Sequence, residues 1–282
     1  MSTRKTATGN ITIGIRDSGV GGLTVARCIR QALPNARLLY FADTAHVPYG
    51  ERAPDEVRHF ALSISNFLIE HGAQLVVFAC NTSSAYALDQ ARNTLPVPIV
   101  GMIEPGARTA VEASSSGRIG VLATQATVQS GVYSQWIKRL RPDATPHEIG
   151  CPEFVPLVEN EKTNTQAART ASQKYLQPLL EARVDTVILG CTHYPLLLPV
   201  LQEAAPQLCF IDPAQAVACD VAKLVASRVN TPSEYSQDSH TEQHDVFFAS
   251  GESDGLRHWI AKLLPEDTVP YIRRGPVFDL HL

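Results

Sequence analysis

The chain lacks several features that would place it in a common class of protein. Its 282 residues contain no apolar stretch of membrane-spanning length, and the first ten residues lack the apolar segment of a secretory signal. The net charge is −4, so the chain lacks the excess of basic residues that is typical of nucleic-acid-binding proteins. We therefore expect a soluble, cytoplasmic protein with neither a nucleic-acid nor a membrane partner.

Cysteine is scarce and scattered, and no two cysteines form a Cys-x-x-Cys pair. This absence argues against a zinc ribbon or a thioredoxin-type centre and favours a reducing compartment. The polar segment from Asn230 to Asp245 contains His240 and His244, but its composition predicts a surface loop rather than a metal site. The six cysteines are Cys28, Cys80, Cys151, Cys191, Cys209 and Cys219.

The pattern of apolar residues predicts an α/β protein with mainly parallel sheets. Apolar runs such as Leu38-Leu-Tyr-Phe41 alternate with helix-like segments such as Pro54 to His71, which is typical of βαβ units. With 44% hydrophobic residues, a chain of this length is long enough for two domains of ordinary size.

Two cysteines occupy matching positions at the ends of predicted strands. Cys80 follows the apolar run Leu75-Val-Val-Phe78, and Cys191 follows Thr186-Val-Ile-Leu189. A helix predicted to start at each cysteine, capped by Thr82 or Thr192, would place the thiol in the crevice beyond the strands and favour the thiolate. Such a thiolate can act as a nucleophile, a metal ligand or a base that abstracts a proton.

Three landmarks recur in the same order, 106, 108 and 111 positions apart. Gly14 recurs as Gly120 after 106 positions. Ile103-Glu-Pro105 recurs as Ile211-Asp-Pro213 after 108 positions, and Cys80 recurs as Cys191 after 111 positions. The repetition predicts two similar, pseudo-symmetric α/β domains with a site between them. We place the first, discontinuous domain at 11–103 plus 212–282 and the second at 104–211.

Other polar residues fall near these strand ends. Asp17 ends the first predicted strand, where a buried carboxylate needs a partner or a task, and His193 lies two residues after Cys191. Thr124 and Thr127 can offer hydroxyls to a site or cap a helix. The glycines that follow Asp17 do not have the G-x-G-x-x-G spacing, so they predict a tight strand-to-helix turn rather than a dinucleotide site.

Several motifs together resemble the glutamate racemases of the aspartate/glutamate racemase superfamily, over about Ile11 to Arg273. The motifs are Asp17-Ser-Gly-Val-Gly-Gly-Leu-Thr24, Asp43-Thr, Val47-Pro-Tyr-Gly50, Ala79-Cys-Asn-Thr82, Gly101 to Ala107, Ala126-Thr-Val-Gln-Ser-Gly131, Phe154-Val-Pro-Leu-Val-Glu159, Leu189-Gly-Cys-Thr-His-Tyr-Pro-Leu197 and Phe247 to Gly251.

The resemblance implies a cofactor-independent reaction that uses two thiols. By this resemblance Cys80 abstracts the α-proton of D-glutamate and Cys191 that of L-glutamate, with Asp17 assisting the first thiol. His193 and Glu159 assist the second. The resemblance also implies a homodimer that supplies D-glutamate for peptidoglycan, with neither a cofactor nor a metal.

The residues that the resemblance implies for substrate binding cluster in the same motifs. They are Asp17, Ser18, Pro48, Tyr49, Gly50, Asn81, Thr82, Thr124, Thr127, Thr192 and His193.

Three other functions remain open from the sequence. A racemase for aspartate or a related acid would keep both cysteines, a binding module would need neither, and a thiol redox enzyme would need a resolving partner. The chain also departs from the family at Arg16, where an aromatic or aliphatic residue is usual, and at Ala42, where glycine is common. We expect Arg16 to pair with an acid or to face the surface, and Arg16→Phe to keep activity within an order of magnitude.

Overall fold

The computed structural model describes residues 11–229, 244–264 and 271–280. These residues form ten β-strands in two sheets, and every pair of neighbouring strands is parallel. The predicted class, α/β with parallel sheets, is therefore confirmed. Most of the loop predicted between Asn230 and Asp245 lies outside the described residues.

The first sheet has six strands. They are β1 (Thr12–Asp17), β2 (Arg37–Ala42), β3 (Leu75–Phe78), β4 (Ile99–Gly101), β9 (Val246–Ala249) and β10 (Tyr271–Arg274). The second sheet has four: β5 (Arg118–Ala123), β6 (Thr145–Gly150), β7 (Thr186–Gly190) and β8 (Cys209–Ile211). Their spatial orders are β10-β9-β2-β1-β3-β4 and β6-β5-β7-β8.

The two sheets share one pattern of strand order. In the first, β1 lies between β2 and β3, and β4 follows β3; in the second, β5, β6, β7 and β8 repeat this arrangement. The register repeats as well, because Gly14 pairs with Val76 and Gly120 pairs with Val187. Each valine precedes its cysteine by four residues, so the sequence landmarks occupy equivalent places in the two sheets.

Helices cover the sheets on both faces, as buried parallel strands require. They are α1 (Leu23–Ala32), α2 (Pro54–Glu70), α3 (Asn81–Thr94), α4 (Ile103–Ala113), α5 (Gln125–Ser130), α6 (Val132–Leu140), α7 (Phe154–Glu159), α8 (Gln166–Glu181), α9 (Leu198–Ala204), α10 (Ala214–Val229) and α11 (Asp254–Leu263). Two short 3₁₀ turns, Tyr49–Glu51 and Tyr194–Leu197, follow β2 and β7.

The two faces of the first sheet bury separate apolar cores. Phe41, Val76 and Phe78 pack with Phe60 and Ile64 of α2 on one face. On the other face, Ile13, Ile15 and Val77 belong to a larger core that continues into the second sheet. This shared core holds the two sheets and their helices, here called the first and second halves, against each other. The domain boundaries at 103/104 and 211/212 stay a prediction.

The predicted helix starts at the two cysteines need correction. Helix α3 does begin directly after Cys80, but Thr82 lies inside it and does not cap it. After Cys191 the chain makes a turn, and α9 begins only at Leu198. The intervening residues Tyr194–Leu197 form the 3₁₀ turn, and Pro195 lies at its start.

Candidate active site

Cys80 and Cys191 line one cavity between the two halves. Both are buried, with 5% and 7% of their surface exposed. The cavity measures ≈ 10 Å³, about the space that one water molecule needs. It is lined by Ser18, Pro48, Tyr49, Gly50, Cys80, Asn81, Thr82, Thr124, Val155, Cys191, Thr192 and His193.

Most of the residues expected at the site thus lie together, although they come from distant parts of the chain. Of the fourteen residues that the sequence assigned to catalysis or substrate binding, eleven line the cavity. The other three, Asp17, Thr127 and Glu159, lie directly behind it and contact lining residues. A larger cavity of ≈ 500 Å³ beside β4 and α10 contains none of the fourteen.

His193 connects Cys191 to Glu159. Its Nδ1 atom lies 3.7 Å from the Cys191 Sγ atom, and its Nε2 atom lies 2.6 Å from Glu159 Oε1. Burial disfavours the imidazolium, but the contacts with Cys191 and Glu159 hold the pKa of His193 well above its usual value. Burial also acts against the Glu159 carboxylate, yet the hydrogen bond from His193 lowers the pKa of Glu159. The arrangement is an ion pair with its positive member beside a thiol.

Asp17 links the two halves behind the cavity. Its Oδ1 atom accepts a hydrogen bond from the Thr192 hydroxyl at 3.2 Å, and its Oδ2 atom accepts one from the Gly19 N–H at 3.1 Å. Burial raises the pKa of Asp17, while His193 and the backbone N–H groups oppose this increase. The carboxyl group that β1 carries at its end therefore has the partners that its burial requires.

The Cys80 thiol lies at the start of α3. Burial raises its pKa and Asp17 raises it further, whereas Arg16 and the Ser83 hydroxyl and N–H lower it. Compared with Cys191, which has the imidazole of His193 beside it, Cys80 lacks an adjacent base of that kind among the residues of the cavity. The two thiols are topologically equivalent but chemically different.

Three threonine hydroxyls join α3 to α5 across the cavity. Thr82 Oγ1 lies 2.9 Å from Thr124 Oγ1 and 3.1 Å from Thr127 Oγ1, and the latter two are 2.9 Å apart. Thr124 also caps α5 by accepting a hydrogen bond from the Thr127 N–H. The helix-cap interpretation is therefore confirmed for Thr124, and the role of its hydroxyl in a site stays a prediction.

Asn81 presents an unpaired donor beside the same cavity. Its Oδ1 atom accepts a hydrogen bond from the Tyr133 hydroxyl at 2.7 Å, which fixes the orientation of the amide. Its Nδ2 atom is buried and has no hydrogen-bond partner among the described residues. A buried donor without a partner is costly, so this position favours a ligand with an acceptor atom.

The glycine-rich turn after β1 allows the second half to come close. A Cβ atom on Gly21 would lie 2.6 Å from His193 Nδ1 and 2.7 Å from Thr192 Oγ1. No side chain fits at this distance, so Gly21 is required by the packing of the turn against the Cys191 loop as well as by the turn itself.

Comparison with known proteins places the chain in a family. The family model described as Asp/Glu/Hydantoin racemase matches residues 23–220. The chain belongs to this family.

Curated relatives and solved structures agree with the family assignment. A glutamate racemase of Desulforudis audaxviator is 41% identical over 92% of this chain and 96% of its own length. The structure of glutamate racemase isoform RacE1 from Bacillus anthracis has a TM-score of 0.83 at 32% identity, covering 96% of this chain and 98% of that one. Both the resemblance read from the motifs and the predicted class, an amino-acid racemase, are confirmed.

Two further structures bear on the substrate. A glutamate racemase from Francisella tularensis, solved in complex with D-glutamate, has a TM-score of 0.83 at 25% identity and covers 95% of this chain and 98% of that one. The aspartate racemase of Picrophilus torridus reaches a TM-score of only 0.53 at 18% identity, which is a likeness of fold alone. The aspartate alternative is not favoured, because the curated relatives at 41–48% identity are glutamate racemases.

Three residues near the site were not assigned a role from the sequence. Val155 lines the cavity, Tyr133 orients Asn81, and Asp43 accepts hydrogen bonds from Tyr49 and His46. Asp43 stood in a motif, but its role depends on contacts that only the fold makes. Val155 and Tyr133 carry no local signal, because each lies on the buried side of a helix as an ordinary core residue would.

Within the described ranges, no group of three or more His, Cys, Asp or Glu side chains is placed to hold a metal ion. No helix in the same ranges is long and apolar enough to cross a membrane.

Proposed function

We propose that this chain is a glutamate racemase that interconverts L- and D-glutamate by direct proton transfer between Cα and two thiols. The observation that carries the proposal is that Cys80 and Cys191, which follow equivalent strands of two similar sheets, line the same cavity. The 41% identity to a curated glutamate racemase over 92% of the chain supports glutamate as the substrate.

Inversion at Cα needs a base on one face and an acid on the other. In the proposed reaction the thiolate of one cysteine takes the α-proton, and the electron pair of the C–H bond passes into the α-carboxylate. The opposite thiol then delivers its proton to the other face of Cα and becomes the thiolate. With D-glutamate Cys80 is the base, and with L-glutamate Cys191 is the base. These reaction steps use no cofactor to take up the electron pair.

The neighbours of Cys191 fit this role. A positive imidazolium 3.7 Å from its Sγ atom stabilises the thiolate electrostatically. Glu159 keeps His193 in the protonated form and fixes its ring through Nε2. We propose that this pair assists Cys191, and that Asp17 assists Cys80 from behind the cavity.

The polar groups of the cavity fit an amino acid with two carboxylates. The unpaired Nδ2 of Asn81 and the hydroxyls of Thr82 and Thr124 supply donors to a carboxylate. We propose that Thr192, whose hydroxyl donates to Asp17, contacts the substrate from the same cavity. Oriented donors at the start of α3 also stabilise the negative charge that develops on the carboxylate during proton removal. We propose that Ser18, Pro48, Tyr49 and Gly50 complete the lining, with Gly50 packed against Thr124 and Thr127 holding Thr124 in place.

The test is incubation of the purified protein with L- and D-glutamate in D₂O without added cofactor, following optical rotation and loss of the α-proton by NMR. We expect racemisation with deuterium entering the α-position. Cys80→Ser and Cys191→Ser are expected to lose roughly 10²- to 10⁴-fold in rate, as loss of an acid or base does.

Cys151→Ser is the matched control, because Cys151 is also buried and follows a strand of the second sheet but does not line the cavity. It should keep wild-type racemisation. Full activity in either site variant, or a loss in the control equal to theirs, would contradict the two-thiol mechanism. Exchange of the α-proton of aspartate but not of glutamate would instead contradict the assignment of glutamate as the substrate.

We further propose that the enzyme is a cytoplasmic homodimer that supplies D-glutamate for peptidoglycan. Growth of a bacterial strain that requires D-glutamate, rescued by the wild-type gene but not by Cys80→Ser, tests the supply role. Sedimentation of the purified protein tests the dimer, and a monomer at micromolar concentration would reject it.

A further inference from the structure

Arg16 is a fully buried cation on the strand beside Cys80. None of its surface is exposed, so the expectation that it faces the surface is wrong. In the parallel pairing of β1 with β3, Arg16 lies opposite Phe78. Paired residues of parallel strands point to the same face and alternate residues share a face, so Phe78, Cys80 and Arg16 lie on one side of the sheet. Asp17 points to the other side.

The guanidinium has few partners in this position. Its Cζ atom lies 5.2 Å from the centre of the Phe78 ring and 5.5 Å from that of Tyr49. Its Nη2 group donates a hydrogen bond of 3.3 Å to the Tyr49 hydroxyl, which in turn donates to Asp43. The Nε and Nη1 atoms have no hydrogen-bond partner among the described residues. Within the described ranges, the hydrogen bonds of Arg16 lead to an acid only through Tyr49.

Such a residue does not stabilise the fold well. A buried charge with unpaired donors costs free energy, and an apolar side chain of similar length in its place is often neutral or stabilising. The surroundings are apolar, with Phe78 and the Phe60–Tyr49 aromatic pair in the same core. The position of the charge beneath the thiol therefore suggests a contribution to the reaction.

We propose that Arg16 is a positioning residue that holds a positive charge beneath Cys80 and stabilises the thiolate formed there. The inference rests on the proposed function for its catalytic consequence. Cys80 has no imidazolium of the kind that His193 supplies to Cys191, so Arg16 supplies the positive charge on the first side of the site.

The other groups around Cys80 leave this role to Arg16. Asp17, from β1, raises the pKa of the thiol, and Arg16 lowers it. Tyr49, in the turn after β2, shares the core of the thiol, and Tyr40 lies on the opposite face of the sheet. Burial raises the pKa of both hydroxyls well above the usual value, so they remain uncharged. Cys191 and His193 lie across the cavity and act on each other.

The test is a titration of the Cys80 thiolate by its ultraviolet absorbance, taken as the difference between each protein and its Cys80→Ala counterpart. In Arg16→Met we expect the midpoint to move to higher pH by about one unit, a tenfold change in thiolate fraction. Arg16→Lys, which keeps a charge, should restore most of the wild-type midpoint. Arg16→Gln replaces Arg16→Met should the latter fail to fold.

Two further readouts separate this role from a structural one. Arg16→Met should unfold at the same or a higher temperature than the wild type, whereas loss of a structural residue would lower it. Its kcat/KM should fall about tenfold near neutral pH and recover as the pH is raised. The fall must be equal for L- and D-glutamate, because the equilibrium constant between enantiomers is one. A tenfold loss lies at the limit of the order of magnitude that the sequence analysis allowed for Arg16→Phe.

An unchanged midpoint in Arg16→Met would overturn the inference, and so would Arg16→Lys titrating like Arg16→Met. The titration needs no substrate, so its outcome is independent of the proposed function. Failure of the wild type to racemise glutamate would reject the proposed function and leave the charge effect on Cys80 to be judged by the titration.

Discussion

At the scale of single residues, the partners of the buried His193 side chain change its protonation. An isolated His titrates near pH 6.5, but here Cys191 and Glu159 hold its pKa well above that value despite the burial. The protonated form is thus maintained at neutral pH, 3.7 Å from the Cys191 sulfur, where the proposed mechanism needs a positive charge.

Replacing Glu159 by Gln should remove part of the interaction that raises the pKa of His193. Because the carboxylate favours the imidazolium, its loss lowers the pKa of His193, and the positive charge is lost at lower pH than in the wild type. The alkaline limb of the pH profile of kcat/KM should therefore move to lower pH. A move of about one unit corresponds to about tenfold lower kcat/KM on the alkaline side.

Glu153→Gln is the control for this prediction. Glu153 precedes the same helix, α7, but its side chain is 51% exposed and pairs with Lys174 at the surface. Its pH profile should match the wild type. An unchanged alkaline limb in Glu159→Gln would show that the ion pair does not set the protonation of His193.

At the scale of elements, the turn between β1 and α1 determines how closely the two halves approach. Gly21 leaves room for His193 and Thr192, which a Cβ atom would meet at 2.6 and 2.7 Å. The turn therefore sets the position of the Cys191 loop relative to the end of β1, where Asp17 lies.

Gly21→Ala should displace the Cys191 loop. We expect kcat/KM to fall at least about tenfold, and stability to decrease by about 1–3 kcal/mol, as overpacking of a tight interface does. Gly255→Ala in α11 is the matched control, since no atom lies within 4 Å of its added Cβ. It should keep full activity and gain at most about 1 kcal/mol. Kinetics and urea unfolding measure both, and a fully active Gly21→Ala would contradict the tight contact.

At the scale of the whole molecule, the structure is closed. The cavity between the thiols holds about one water molecule, and glutamate is several times larger. The hydrogen bond from Thr192 to Asp17 and the one between the hydroxyls of Thr82 and Thr124 cross between the halves and keep them together. Substrate can enter only if the two halves separate.

Hydrogen exchange measured by mass spectrometry should reveal this opening. Without ligand, the segments on both sides of the cavity, 80–84 and 191–194, should exchange faster than their burial predicts. Saturating D-glutamate should slow them, because a bound ligand holds the halves together. The outer helix α8 serves as the reference and should not change. Equal exchange at the cavity with and without ligand would contradict the opening.

The sequence alone predicted much of the site because its motifs are local. Strands β3 and β7 agree with the predicted apolar runs to within one residue, since a short apolar run between turn residues suits a buried parallel strand. The periodicity of the landmarks also matched the repeated strand order of the two sheets. The start of α9 was missed, because a capping residue such as Thr192 does not distinguish the 3₁₀ turn over Tyr194–Leu197 from the start of an α-helix.

The sequence by itself determined the α/β class, the two cysteines and the family, since each rests on the order of residues along the chain. Only the tertiary structure decided that Arg16 is buried beneath Cys80, that Tyr133 orients Asn81 and that Glu159 pairs with His193. These contacts join residues 34 to 64 positions apart, and they depend on which faces of strands and helices meet. The local sequence pattern does not predict such contacts, because they depend on how whole helices and strands pack.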